Sequence, residues 1–362
     1  MDWLLIAIVL FVAFCNGAND NFKGFATVWG SDTLSYRQAL GLATTATIAG
    51  SLVALFFAEA LVLHFSGKGL VPDTVASAPL FLISVAGGAA VTICLATVLG
   101  FPISTTHALI GGLIGAGLAQ SDGEFHFDQL ASAFLVPLLV SPLVAVALGV
   151  LAYRLFRIWP SENACVCLVA PPQILSLPTP GATDRTEVTW LATQNLVVAP
   201  ASACERLAVP FRFSVSRNLD RVHILSAMSI CFARAVNDTP KLAALLLTAQ
   251  MLQSSTPIIL ISLTMALGGL LFARRVAQTM SRRVTRMNHT QGLAANLITA
   301  SLVLFASKFG LPVSTTHVSV GAIAGVGASA KTLNWPTLRN ILLSWLATLP
   351  LTTGVAWLLA SA

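Results

Sequence analysis

Charge is scarce in this sequence. Only 9% of its 362 residues are Asp, Glu, Lys or Arg, against 56% hydrophobic residues and a mean hydropathy of +0.82. A soluble domain carries about a quarter charged residues, so the composition excludes a soluble globular enzyme and implies a polytopic membrane protein. The net charge of +6 lies in loops and reads as topology, not as affinity for nucleic acid. No cation precedes Lys23, so residues 1–15 lack the basic start of a signal peptide and are kept as mature sequence. No histidine pair stands at metal-binding spacing and no nucleophile elbow is present, which argues against an intramembrane hydrolase and predicts neither metal nor cofactor. Of six cysteines, Cys15, Cys94 and Cys231 fall in apolar segments and Cys165, Cys167 and Cys204 in a central stretch. Cys165-Val-Cys167 has no histidine nearby to complete a metal set, and the thiols read as free.

What the chain does have is apolar segments in quantity. They run over 3–36, 38–64, 79–99, 103–119, 129–158, 219–252, 255–273, 291–309, 312–328 and 337–360. A span needs about 20 residues, so 3–36 predicts a helix broken near mid-membrane, and 219–252 its counterpart, interrupted at Pro240. The pieces 79–99 and 103–119, divided by Gly100 and Pro102, are two full spans or a re-entrant hairpin. Residues 159–217 are rich in proline and polar residues and form a central linker. The expected fold is all-α, with about 10–12 membrane segments in two repeats, 1–158 and 218–362.

Two motifs establish the repeat. Asn19-Asp20-Asn21-Phe22-Lys23 returns as Asn237-Asp238-Thr239-Pro240-Lys241, 218 positions on (238 − 20). Gly100-Phe-Pro-Ile-Ser-Thr-Thr-His107 returns as Gly310-Leu-Pro-Val-Ser-Thr-Thr-His317, 210 positions on (317 − 107). Five crossings per half, an odd number, make the halves inverted. Arg154, Arg157, Arg206, Arg212, Arg217 and Arg221 place the central linker in the cytoplasm. The loop of Arg274, Arg275, Arg282, Arg283 and Arg286 then falls inside as well, while its partner 65–78 carries only Lys68 and falls outside with both termini.

The residue types in these motifs point to an anion site. Asn19, Asp20 and Lys23 share one side of a helix, and ionisable groups at this depth must pair or line a polar cavity. The structural alternative is a neutral Asp–Lys pair that only holds helices together. Asp20 and Asp238 suit a coupling cation or proton; amides and Lys23 and Lys241 suit an anion. Arg234 stands where the first copy has Asn16; a guanidinium binds a tetrahedral oxyanion bidentately, or it reaches the cytoplasmic interface. Ser104, Thr105, Thr106 and Ser314, Thr315, Thr316 follow Gly-x-Pro and read as starts of half-helices, whose N–H groups and hydroxyls cradle an oxyanion. His107 and His317 orient these turns or relay a proton. The glycines that follow, among them Gly115 and Gly325, read as close helix packing.

Gly17-Ala-Asn-Asp20, Asn237-Asp238 and the doubled Pro-x-Ser-Thr-Thr-His resemble the inorganic phosphate transporter (PiT) family over nearly all of both membrane halves. The resemblance implies a secondary transporter importing inorganic phosphate by alternating access across the cell (inner) membrane, with sulfate or another small oxyanion as the alternative cargo and a channel as a remote one. It implies a central site of Asn19, Asp20, Ser104, Thr105 and Thr106 with Asn237, Asp238, Ser314, Thr315 and Thr316, and a homodimer. The family's usual Asp-x-x-Asn is Asp-x-x-Lys here in both copies. The expectation is that the ammonium groups replace sodium, leaving transport coupled to H+ or otherwise sodium-independent.

Overall fold

The computed structural model describes residues 2–57, 59–156, 164–169, 195–200, 211–249, 255–284 and 287–362. Two compact units result, Met1–Ile158 with His223–Ala362, and Trp159–Val222. Expectations for Arg157, Arg206, Cys204 and Arg286 lie outside the described residues.

The first half of the large unit contains α1 (Asp2–Asp20), a 3-10 turn (Lys23–Phe25), α2 (Ala26–Gly30), α3 (Tyr36–Phe57), α4 (Glu59–Phe65), α5 (Asp73–Ala76), α6 (Pro79–Leu99), α7 (Thr105–Gln120), α8 (Phe127–Leu130) and α9 (Val136–Phe156). The second half contains α10 (Val215–Thr248), α11 (Thr256–Phe272), α12 (Arg274–Gln278), α13 (His289–Lys308), α14 (Thr315–Ala330) and α15 (Trp335–Ser361). In the smaller unit, β1 (Ala164–Val169) pairs antiparallel with both β2 (Asn195–Pro200) and β3 (Phe211–Ser214), Val166 standing opposite Val198 and Phe213. The central stretch thus contributes a three-stranded sheet to a chain that is otherwise helical where described.

Every predicted apolar segment contains a helix, but among the described residues only six helices are long and apolar enough to cross a bilayer alone, or seven with the bent pair Thr256–Phe272 and Arg274–Arg283. The shortfall has physical causes. Helices α7 and α14 have 16 residues each, or about 24 Å at 1.5 Å per residue against a hydrocarbon core of about 30 Å. Helix α10 is long enough, at 34 residues, but carries Arg234, Asp238 and Lys241.

The expected break at Pro240 is corrected: α10 runs through it to Thr248. Proline removes one backbone bond, but the same turn is fastened from outside, by Thr239 Oγ1 donating to Ser51 Oγ (2.9 Å) and Asn237 Nδ2 donating to the Val313 carbonyl (3.2 Å). The first copy does break, at Asn21-Phe22. There Asn21 bonds two residues of α3, donating to Thr44 Oγ1 (2.9 Å) and accepting from Thr47 Oγ1 (2.6 Å), and its carbonyl accepts the Cys231 thiol at 3.5 Å.

The two halves pack in a crossed manner. Helix α7 lies along α15 of the other half, and α14 along α9. Glycine permits the close approach: a Cβ on Gly115 would lie 2.1 Å from the Thr353 carbonyl oxygen, and one on Gly325 2.3 Å from that of Val146. Gly115→Ala is therefore expected to destabilise the protein by about 1–3 kcal/mol through overpacking, read as a lower melting temperature in detergent. Gly41→Ala, where a Cβ meets nothing within 4 Å, is expected to raise it slightly, since alanine favours the helix.

Candidate functional site

The site is built where two helix starts meet. Gly100 and Gly310 turn the chain with φ of 78° and 68°, a conformation that glycine adopts without steric penalty. Short extended stretches follow, and then Ser104 and Ser314, with φ/ψ of −99°/114° and −98°/116°. Each serine caps its helix as expected, its Oγ accepting from the backbone N–H of His107 (3.1 Å) or His317 (3.2 Å).

The two tips bond each other. Thr106 Oγ1 donates to the Val313 carbonyl (3.1 Å), and Thr316 Oγ1 donates to the Ile103 carbonyl (2.7 Å). With 313 − 103 and 316 − 106 both 210, this is one bond made twice. The expected open cradle of hydroxyls is therefore closed here, tip against tip.

The lysines complete the closure. Lys23 Nζ donates to Asp20 Oδ1, to the Ile103 carbonyl (2.8 Å) and to Thr316 Oγ1 (2.6 Å). Lys241 Nζ donates to Thr106 Oγ1 (2.7 Å) and the Val313 carbonyl (2.9 Å), with Asp238 Oδ1 at 3.5 Å. Each ammonium group thus meets one carboxylate, the backbone of its own half's tip and the hydroxyl of the other. Three N–H donors face three oxygens, which is how a buried ammonium must be satisfied. Asn19 and Asn237 brace the same tips: Asn19 Nδ2 bonds Thr97 Oγ1 (2.9 Å) and the Phe101 carbonyl (3.0 Å) and its Oδ1 accepts from Ile103 N (3.2 Å), while Asn237 Oδ1 accepts from Ser307 Oγ (3.3 Å).

Arg234 breaks the two-fold pattern. It is 1% exposed and does not reach the interface. Its Nη1 donates to Asn16 Oδ1 (3.1 Å) and its Nη2 to Thr47 Oγ1 (3.0 Å), with Asp238 Oδ2 at 3.9 Å from Nη1. Its Nε has no hydrogen-bond partner among the described residues. Asn16 in turn donates to Thr105 Oγ1 (2.7 Å) and Asp238 Oδ2 (3.4 Å). Thr315, the counterpart of Thr105, has no such bond among the described residues, because Arg234 occupies the place of a second Asn16. Lys23, Lys241 and Arg234 against Asp20 and Asp238, none more than 4% exposed, leave one formal positive charge in excess.

His107 and His317 lie together, ring centroids 4.4 Å apart, and His317 stacks on Trp345 at 3.8 Å. Among the described residues His107 Nδ1 and His317 Nε2 have no hydrogen-bond partner. The imidazoles therefore pack tip against tip, while their backbone N–H groups make the caps.

Sequence reasoning missed Thr44, Thr47, Ser51, Thr97 and Ser307. The first three stand at helical spacing on one stripe of α3. Thr97 and Ser307 are 210 apart (307 − 97), the offset of the histidine motifs, and a search at that offset finds them.

Apolar helices, too numerous for one anchor, gather buried ionisable side chains where two short helices meet. That arrangement is the kind a membrane transport protein uses to hold a charged cargo. A model of the phosphate transporter family matches residues 16–356, and the chain belongs to that family. It is 28% identical over 387 residues to the "Putative phosphate permease TK2061" of Thermococcus kodakarensis, covering 96% of this chain and 94% of the relative. It is 26% identical over 424 residues to "Inorganic phosphate transporter 2-1, chloroplastic" of Arabidopsis thaliana, covering 98% and 71%. Its fold matches a solved structure of "The sodium-dependent phosphate transporter" with a TM-score of 0.76 at 20% identity, covering 99% of this chain and 97% of the other.

Proposed function

We propose that this chain imports inorganic phosphate by alternating access, with the Asn-Asp-x-x-Lys segments and the two Ser-Thr-Thr tips holding the anion between them. The observation that carries the reading is the excess positive charge. Five buried ionisable groups surround the contact of two helix N-termini, and three of them are cationic. A buried net charge is costly unless a counter-ion joins it, and helix starts with free donors favour an anion. Arg234, with an unpartnered Nε among the described residues, offers a donor for a tetrahedral oxyanion.

Coupling is proposed to H+, or to no sodium at all. The lysine ammonium groups take the mixed carboxylate, carbonyl and hydroxyl oxygens that a hard cation would take. The fold neighbour is sodium-dependent by name; this chain is proposed to differ because its own cations fill that role. Asp20 and Asp238 would receive the coupled proton. By the arginine distribution the halves are inverted, the central stretch is cytoplasmic and both termini face outward in the cell (inner) membrane. A homodimer is proposed on the family resemblance.

Uptake of labelled phosphate into proteoliposomes under an imposed proton gradient tests the reading. Saturable uptake that excess sulfate does not inhibit is expected. Saturable sulfate uptake without phosphate uptake would keep the carrier and overturn the cargo, since sulfate has no proton to lend near neutral pH.

A further inference from the structure

We infer that the large unit carries a binding site for an anionic diacyl phospholipid, separate from the proposed transport site. A groove of about 610 Å³ runs between α1, α6 and α11, walled by Phe11, Phe14, Val98, Leu271 and Phe272 and closed at one end by Arg274 and Arg275. Phe11, Val98, Leu271 and Phe272 are each about half exposed, between 48% and 60%, so the groove opens to the surroundings of the helices, which here are acyl chains. A second cavity of about 440 Å³ continues from it, sharing Arg274 and Gln278 and adding Trp29, Arg282 and Arg283.

The two cavities differ in chemistry as the two parts of a lipid do. The first is apolar along its length. The second presents three guanidinium groups. Arg282 lies over the Trp29 ring at 5.0 Å and Arg274 over the Tyr36 ring at 5.7 Å, so aromatic faces hold two of them in place. Among the described residues the one acid paired with this cluster is Asp32, 3.7 Å from Arg282 and 86% exposed, and Arg274 and Arg283 form no ion pair. Guanidinium forks suit a phosphodiester. The chain's path adds an independent reason: the helix pair bends by 64° between Phe272 and Arg274, at the step from apolar to basic sequence, which sets the arginines at a membrane interface. A basic pocket between spans at that level attracts anionic headgroups.

The groove's inner wall includes Thr97 and Ala18. Thr97 Oγ1 accepts from Asn19, so a lipid seated there would touch the far side of the proposed transport site without entering it.

Native mass spectrometry of the purified full-length protein in detergent tests this, with phosphatidylglycerol or phosphatidylcholine added at equal concentration. Phosphatidylglycerol is expected to be retained in preference, and the triple variant Arg274→Gln, Arg282→Gln, Arg283→Gln to retain it roughly a hundredfold less tightly. Leu271→Trp narrows the groove at an exposed position while keeping every arginine, and is expected to weaken retention as well; it decides the matter if the triple variant does not fold. Equal retention of both lipids, or undiminished binding by Leu271→Trp, overturns the proposal. Displacement of phosphatidylglycerol by millimolar inorganic phosphate also overturns it, by marking the basic cavity as a site for the free anion.

Discussion

Initial rates of phosphate uptake into proteoliposomes are expected to be the same with sodium and with choline as the main cation. Lys23→Asn is expected to lower the choline rate by about two to four orders of magnitude and to make the remaining uptake respond to sodium. The reason is the cage around Lys23 Nζ, made by the Asp20 carboxylate, the Ile103 carbonyl and the Thr316 hydroxyl. Removing the ammonium leaves a carboxylate that is 1% exposed without its cation. Breaking a buried pair in this way costs about 3–5 kcal/mol, and each 1.36 kcal/mol on a barrier is about tenfold in rate. A sodium ion can fill the space that the shorter, uncharged asparagine leaves vacant beside the carboxylate. Lys23→Met, which fills the space with an apolar chain, is expected to lose uptake without sodium rescue. Undiminished sodium-dependent uptake by the unaltered protein would sink the idea.

Arg234→Ala is expected to raise the KM for phosphate by about one to two orders of magnitude, with Arg234→Lys falling between. The estimate follows from the worth of a hydrogen bond to a charged group, about 1.5–3 kcal/mol. Alanine leaves two lysines against two aspartates, and the positive excess disappears. Lysine restores the charge but not the fork that now spans Asn16 and Thr47. A purely structural Arg234 predicts a different outcome, in which the melting temperature falls and the KM of the surviving protein does not change. Measuring both separates the two roles.

Much of this arrangement was legible because the chain says it twice. The offsets of 218 and 210 single out the Asn-Asp-x-x-Lys and Ser-Thr-Thr-His segments without any knowledge of geometry, and the serine caps follow from their place after proline. What the spacing does not carry is who meets whom. Lys23 bonds Thr316 across 293 positions, a contact made by the crossed packing of the halves and absent from any local pattern. The break at Pro240 was misread for a related reason. A proline ends a helix when nothing else holds it, and here Thr239 and Asn237 hold the turn through Ser51 and Val313. Arg234 was ambiguous because burial, not residue type, separates a site arginine from one at the interface.

The closure of the tips has an implication for the resting balance of the proposed carrier. Each lysine grips the backbone of one tip and the hydroxyl of the other, so withdrawing either tip disrupts bonds at both lysines. Two faces released by matching sets of bonds would be populated alike, and the lysines cannot by themselves set a preferred direction. The preference must come from where the halves differ, and at the centre they differ in Arg234 for Asn16 and in the break at Asn21-Phe22, where α10 instead runs on through Pro240. An arginine in place of an asparagine would then act as one of two weights that tilt an otherwise even scale.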